Sequence, residues 1–193
     1  MSTTIEVFSD YVCPFCYLAE QPLADAVEGR DVHVEWQPFE LRPEPTPTLR
    51  PEGDYLQRTW TQVVYPMAER MGVPIVLPAV SPQPYSRLAF EAQQYAAEHG
   101  LGQRWTERMF RTFFVEQRNI GDVGVLADVA TDLGLDGEGL RSALGSGRYA
   151  ERHDKALLRA RELDITVVPT FLVGDRRLEG MPTPEGLRRL LDG

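Results

Sequence analysis

The fold turns on Thr4-Ile5-Glu6-Val7-Phe8-Ser9-Asp10-Tyr11-Val12-Cys13-Pro14-Phe15-Cys16-Tyr17. The first five residues alternate polar and apolar side chains, the period-two signal of a strand. From Pro14 to Glu28 the period changes, with apolar residues at Leu18, Leu23, Ala26 and Val27 on one helical face. Pro14 suits a first helical turn, where its missing N–H would have no intrahelical partner. Pro22 is expected to kink the helix and Gly29 to end it. Cys13 and Cys16, the only two cysteines of the chain, thus fall at a strand-to-helix junction.

Working outward, Val32-His33-Val34-Glu35-Trp36 is a second alternating strand, which completes a β-α-β unit with a right-handed crossover. Pro43, Pro45, Pro47 and Pro51 crowd residues 42–53, a density that no regular element survives. From Asp54 to about Arg161 the pattern predicts helices over 54–71, 84–99, 102–115, 122–133, 137–144 and 147–162. Trp105, Met109, Phe110, Phe113 and Phe114 recur at helical spacing. They read as a core face packed on neighbouring helices rather than a cofactor or peptide groove. Beyond Asp164 the β-branched run Ile165–Val168 leads through Pro169 to a strand over Thr170–Val173. A turn at Gly174–Arg177, a short partner strand at Leu178–Gly180 and a closing helix from Glu185 to Leu191 follow.

The 193 residues, 42% of them hydrophobic, can bury a sizeable core in one large domain or a domain carrying an insertion. A formal net charge of −9 argues against sequence-independent binding to nucleic-acid phosphates. Arg152, Lys155, Arg159 and Arg161 are interleaved with Glu151, Asp154 and Glu162, which reads as a solvated helix face. No stretch approaches the roughly 18 apolar residues of a membrane span. The opening Met1-Ser2-Thr3-Thr4-Ile5-Glu6-Val7 has no basic segment followed by an apolar run. A soluble protein of the bacterial cytoplasm, without membrane partners, is the expectation.

Three chemistries compete for Cys13 and Cys16. A zinc site needs about four ligands, yet there is no second cysteine pair, and His33, His99 and His153 are scattered. No metal is therefore expected. Two inert buried thiols are the second reading. The third is a redox dithiol, which the strand-to-helix junction favours. Two intervening residues at a helix start bring the sulfurs within bridging reach, and the helix terminus favours a thiolate on Cys13. That thiolate attacks a disulfide, and Cys16, one turn deeper, resolves the mixed disulfide. Pro14 stiffens the intervening turn. Phe15 brings neither a cation nor a hydrogen-bond donor, so the pair is expected to be a milder oxidant than a relative with histidine there.

The segment Phe8–Tyr17 resembles the active-site stretch of the DsbA-like thioredoxin family, in its FrnE-type branch. Trp36-Gln37-Pro38-Phe39-Glu40-Leu41 resembles that branch's second strand and its exit. Val168-Pro169-Thr170-Phe171, followed by Gly180-Met181-Pro182, resembles its cis-proline loop and final turn. The resemblance implies an α/β chain, a thioredoxin fold with a large all-helical insertion. It divides into a thioredoxin-like domain over 1–45 and 146–193 and an inserted helical domain over 46–145. It further implies thiol–disulfide exchange with protein thiols or disulfides, or with glutathione as a redox partner, and no bound cofactor. Cys13 would be the nucleophile and Cys16 the resolving thiol. Pro169 would be the cis-proline that turns the Val168 backbone toward a substrate strand. Val167 stands where relatives commonly have glycine, and the further cysteine pair of some FrnE-type proteins is lacking here. A neighbouring branch holds glutathione-dependent isomerases and transferases, which typically carry serine at the place of Cys13. That branch supplies the alternative reading, and monomer and dimer both remain open.

Overall fold

Strand β1 (Thr3–Ser9) lies inside a four-stranded sheet of order β2-β1-β3-β4. The computed structural model describes residues 2–193. β2 (Val32–Pro38) runs parallel to β1, in register from Thr3 opposite Val32 to Ser9 opposite Pro38. β3 (Thr170–Val173) is antiparallel to β1, and β4 (Arg176–Glu179) is antiparallel to β3. The first and last quarters of the chain therefore build one sheet, with a long helical excursion between them. This is the α/β architecture with a helical insertion that the sequence pattern anticipates.

Being central, β1 must be covered on both faces. Ile5 and Val7 point to one side and pack with Leu23, Ala26, Phe171, Leu187, Leu190 and Leu191. The helices on that side are α2 (Glu20–Val27) and, at the other end of the chain, α10 (Pro184–Asp192), while the short α1 (Pro14–Leu18) buries Cys16 and Leu18 in the opposite cluster. α10 begins as its sequence suggests. Thr183 caps it by accepting from the Gly186 N–H at 3.1 Å, and Pro184 occupies the first turn. Phe8 points to the opposite side, into a larger cluster with Tyr11, Phe110, Phe113, Phe114 and Trp60. This larger cluster joins the sheet to the excursion, while the smaller one lies wholly on the far face.

The excursion holds α3 (Asp54–Thr59), a π-helical turn (Trp60–Val64) and α4 (Tyr65–Met71). It continues through α5 (Arg87–Glu98), α6 (Gly102–Phe114), α7 (Val123–Asp132), α8 (Gly137–Gly145) and α9 (Ala150–Glu162). The aromatic stripe of α6 is core: Trp105, Met109, Phe110, Phe113 and Phe114 are all fully buried. Two helices are interrupted, each at a proline, the first as expected of Pro22 and the second not anticipated. The helix expected from Pro14 divides at Ala19, one turn before Pro22, because Pro22 has no N–H for the Leu18 carbonyl. The single helix expected over 54–71 contains the π turn. It comes just before Pro66, which cannot donate to the Gln62 carbonyl. The proline-rich residues 42–53 form turns without a regular element, as their composition predicts. Of the basic residues along α9, Lys155 pairs with Glu151 and Arg159 with Glu6, as suits a solvated face. Among the described residues no helix is long and apolar enough to cross a membrane.

Candidate active site

Cys13 is the residue that caps α1, in extended backbone conformation with φ −90° and ψ 113°. The segment before it is held from three sides. Tyr11 is fully buried, stacked on Phe90 at 4.4 Å between ring centroids and hydrogen-bonded to Thr106 Oγ1 at 3.1 Å. The Cys13 N–H donates to the Asp10 carbonyl at 3.0 Å. On the far side of the pair, Tyr17 stacks against Phe110 and Phe114 of α6. The helical block therefore clamps both flanks of Cys13-Pro14-Phe15-Cys16.

Both cysteines are free thiols, Cys13 4% exposed and Cys16 not at all. The structure brings Cys13 and Val168, 155 residues apart in sequence, into contact. The Cys13 thiol donates to the Val168 carbonyl at 3.8 Å, and the Val168–Pro169 peptide is cis. Cys16 lies deeper. Burial pushes its thiol well above its ordinary range. The neighbouring Cys13 pushes it further, and a backbone hydrogen bond from Asp10 pulls the other way. Pro14 and Phe15, the residues between the cysteines, line the same cavity as Cys13 and Val168. Of the expected site residues, Cys13, Pro14, Phe15 and Val168 thus line one cavity, with Cys16 buried beside Cys13 and Pro169 next to Val168 in the chain.

That cavity encloses about 900 Å³ of empty space, its open mouth included. Cys13 and Val168 form its floor. Leu49, Leu56 and Trp60 wall it, and Arg42 and Tyr55 stand toward solvent. The walls come from the proline-rich segment and from α3 with its π turn, so the insertion closes a site that the sheet alone would leave open.

Sequence reasoning passed over Asp10, which is 1% exposed. Its carboxylate accepts from the Leu41 N–H at 2.7 Å and from the Val12 N–H at 3.3 Å, tying the cavity roof to the active-site loop. Burial raises its pKa from 3.8 to about 6 against the pull of these bonds and of Ser86, and Glu40 nearby adds to the rise. Glu40 is itself buried and shares a 2.5 Å hydrogen bond with Nε2 of the fully buried His153. Asp10 had a local signal, a carboxylate three residues before Cys13. His153 had none, because its partner lies 113 residues away. Among the described residues no group of three or more His, Cys, Asp or Glu could hold a metal ion.

The profile of the DSBA-like thioredoxin domain matches residues 4–192, and the chain belongs to that family. The chain is 46% identical over 182 residues to the uncharacterized protein YwbO of Bacillus subtilis, covering 93% of this chain and 91% of YwbO. It is 26% identical over 186 residues to the 2-hydroxychromene-2-carboxylate isomerase of Sphingobium xenophagum, with 91% of each covered. Among solved structures, a probable DsbA oxidoreductase of Streptomyces coelicolor superposes with a TM-score of 0.81 at 20% identity. It covers 98% of this chain and 88% of its own. The cytosolic disulfide reductase DsbM of Pseudomonas aeruginosa, solved with glutathione, superposes with a TM-score of 0.73 at 23% identity, covering 98% and 97%.

Proposed function

We propose that this member of the DSBA-like thioredoxin domain family is a thiol–disulfide oxidoreductase, exchanging a Cys13–Cys16 dithiol or disulfide with protein or small thiol partners. The observation that carries the reading is the pair of free thiols at the β1–α1 junction, with Cys13 set against the Val168 carbonyl on the cavity floor. Cys13, the outer of the two, attacks a partner disulfide. One partner thiolate leaves and a mixed disulfide forms on Cys13. Cys16 then gives up its proton and attacks the Cys13 sulfur, which closes the Cys13–Cys16 disulfide and expels the second thiolate. The partner gains two electrons and the dithiol loses two. Asp10, buried near the pair and with its charge acting on the Cys16 thiol, is the acceptor for the Cys16 proton. The reverse sequence oxidises a partner dithiol, and the redox poise of the compartment sets the direction. DsbM, a cytosolic reductase solved with glutathione, supports glutathione as one partner and the bacterial cytoplasm as a setting.

Replacing Cys16 by serine is expected to leave partners trapped on Cys13, detectable as intact mixed disulfides by mass spectrometry. A Cys13→Ser variant that exchanges disulfides at the wild-type rate would remove the reading altogether. The 26% identity to an isomerase favours one second reading, a glutathione-dependent isomerase or transferase. Glutathione-dependent isomerisation that persists undiminished in the Cys16→Ser variant is the result that would select it.

A further inference from the structure

The chemistry of the cavity narrows the partner. Cys13 is only 4% exposed and Val168 only 8%, so a partner sulfur must descend into the cavity to reach the thiol. The walls it passes are mainly apolar, Phe15, Leu49, Leu56 and Trp60, with the uncharged polar side chains of Thr48, Thr59 and Gln83 between them. Two ionisable side chains that carry charge face this space, Asp10 and Arg42. Asp10 is 1% exposed and lies behind the Leu41 and Val12 amides that it binds, out of reach of an ammonium group entering at the mouth. Arg42 differs. It is exposed at the mouth, its polar contact is a 3.3 Å donation to the Pro47 carbonyl, and among the described residues it forms no ion pair. Several arginines of this acidic chain form no ion pair, but among the described residues Arg42 alone of them lines this cavity, so its guanidinium is the one set to receive an anion there.

Resting on the dithiol reading above, we infer that the preferred partner is a small disulfide whose halves are apolar and singly anionic, such as an aromatic thiol carboxylate. The apolar body lies against Phe15, Leu49, Leu56 and Trp60, and the carboxylate meets Arg42. Glutathione disulfide fits less well. Each of its halves carries two carboxylates and an ammonium, for which the cavity holds one cation and no free carboxylate. A folded protein must insert its disulfide past the α3 wall. In the reaction the Cys13 thiolate breaks the partner S–S bond and releases one aryl thiolate. Cys16 then forms the Cys13–Cys16 bond and releases the second. Two electrons pass from protein to partner, and the Cys16 proton goes to Asp10.

The test is a single-turnover comparison with the reduced full-length protein. The probes are 5,5′-dithiobis(2-nitrobenzoate), which is aromatic and anionic, 4,4′-dithiodipyridine, which is aromatic and uncharged, glutathione disulfide and insulin. Each rate is divided by that of N-acetylcysteine with the same probe, which removes intrinsic reactivity. The expected normalised rate for the nitrobenzoate exceeds those for glutathione disulfide and insulin by tenfold or more. The nitrobenzoate-to-pyridine ratio is expected to fall five- to tenfold in Arg42→Ala and to recover most of that in Arg42→Lys. A ratio unmoved by Arg42→Ala overturns the inference, as does a normalised rate for glutathione disulfide or insulin that equals the nitrobenzoate's. Cys13-dependent exchange without such selectivity overturns the partner class and leaves the dithiol reading standing. Exchange that survives Cys13→Ser overturns the reading itself.

Discussion

Replacing Asp10 by asparagine tests the carboxylate under the cavity roof in two independent measurements. The first is stability. The pKa of Asp10 rises from 3.8 to about 6 in the fold, chiefly through burial. An acid with a raised folded pKa holds its proton longer in the folded state than in the unfolded one. Stability is therefore lost as pH rises through the window from about 4 to 6, and the loss is complete above it. A rise of that size is worth about 3 kcal/mol. Asparagine keeps an acceptor for one of the two amides and cannot ionise. Urea unfolding of the variant between pH 4 and pH 7 should therefore lack this loss, whatever the constant cost of the substitution itself. The second measurement is the release of the second thiol in single turnover, the step in which Cys16 must lose a proton. With aspartate the rate should rise toward a plateau with an inflection near pH 6. With asparagine the inflection should vanish and the plateau fall on the order of a hundredfold, the usual scale for losing a positioned acid or base. A variant that keeps both the inflection and the plateau would refute the role given to Asp10. An unchanged stability slope would refute the burial argument separately.

Glu20, at the start of α2, is half-buried, and its desolvation, with Glu107 nearby adding to the effect, raises its pKa from 4.5 to about 8. By the same sign it costs stability as pH rises from about 5 to 8. Glu20→Gln should then gain about 3 kcal/mol relative to the parent between pH 5 and pH 8, read from urea midpoints at the two pH values, and no pH-dependent gain would contradict the burial. His153→Ala leaves Glu40 buried without its 2.5 Å partner. A loss of at least roughly 3 kcal/mol in urea unfolding is expected. A loss below about 1 kcal/mol would show that Glu40 finds water or another donor.

The parts of the fold legible in the sequence are those decided locally. The alternation in Thr4–Phe8 and Val32–Trp36 gives β1 and β2, and the helical period of Trp105–Phe114 gives the buried face of α6, because one buried face leaves its period in the chain. The cysteine pair was legible because spacing and junction are both local. The two helix interruptions were half legible. Pro22 and Pro66 announce a lost hydrogen bond, but whether the chain answers with a bend at Ala19 or a π turn at Trp60–Val64 depends on packing against other elements. Least legible was the polar understructure. Asp10, Glu40 and His153 meet only because the exit of β2 and the start of α9 are folded against the active-site loop, a long-range event without period or motif.

That understructure also explains why the helical block matters to the chemistry as well as to the core. A thioredoxin-like sheet alone would place Cys13 at an open edge. Here Tyr11 and Tyr17, immediately outside the cysteine pair, are both gripped by helices of the excursion, and Asp10 fastens the Leu41 roof to the loop carrying Cys13. Through Tyr11, which shares a hydroxyl bond with Thr106 of α6, any shift of the block relative to the sheet reaches the loop that positions the thiol. The segment with residues 41 and 42 and the π turn with Trp60 supply the mouth and wall of the cavity, so the same elements that hold Cys13 in place also bound the way to it. On the dithiol reading proposed above, reactivity at Cys13 and partner choice are set by one packing arrangement. Changes at the cavity wall should alter both together, whereas a change at exposed Arg42 should alter choice alone.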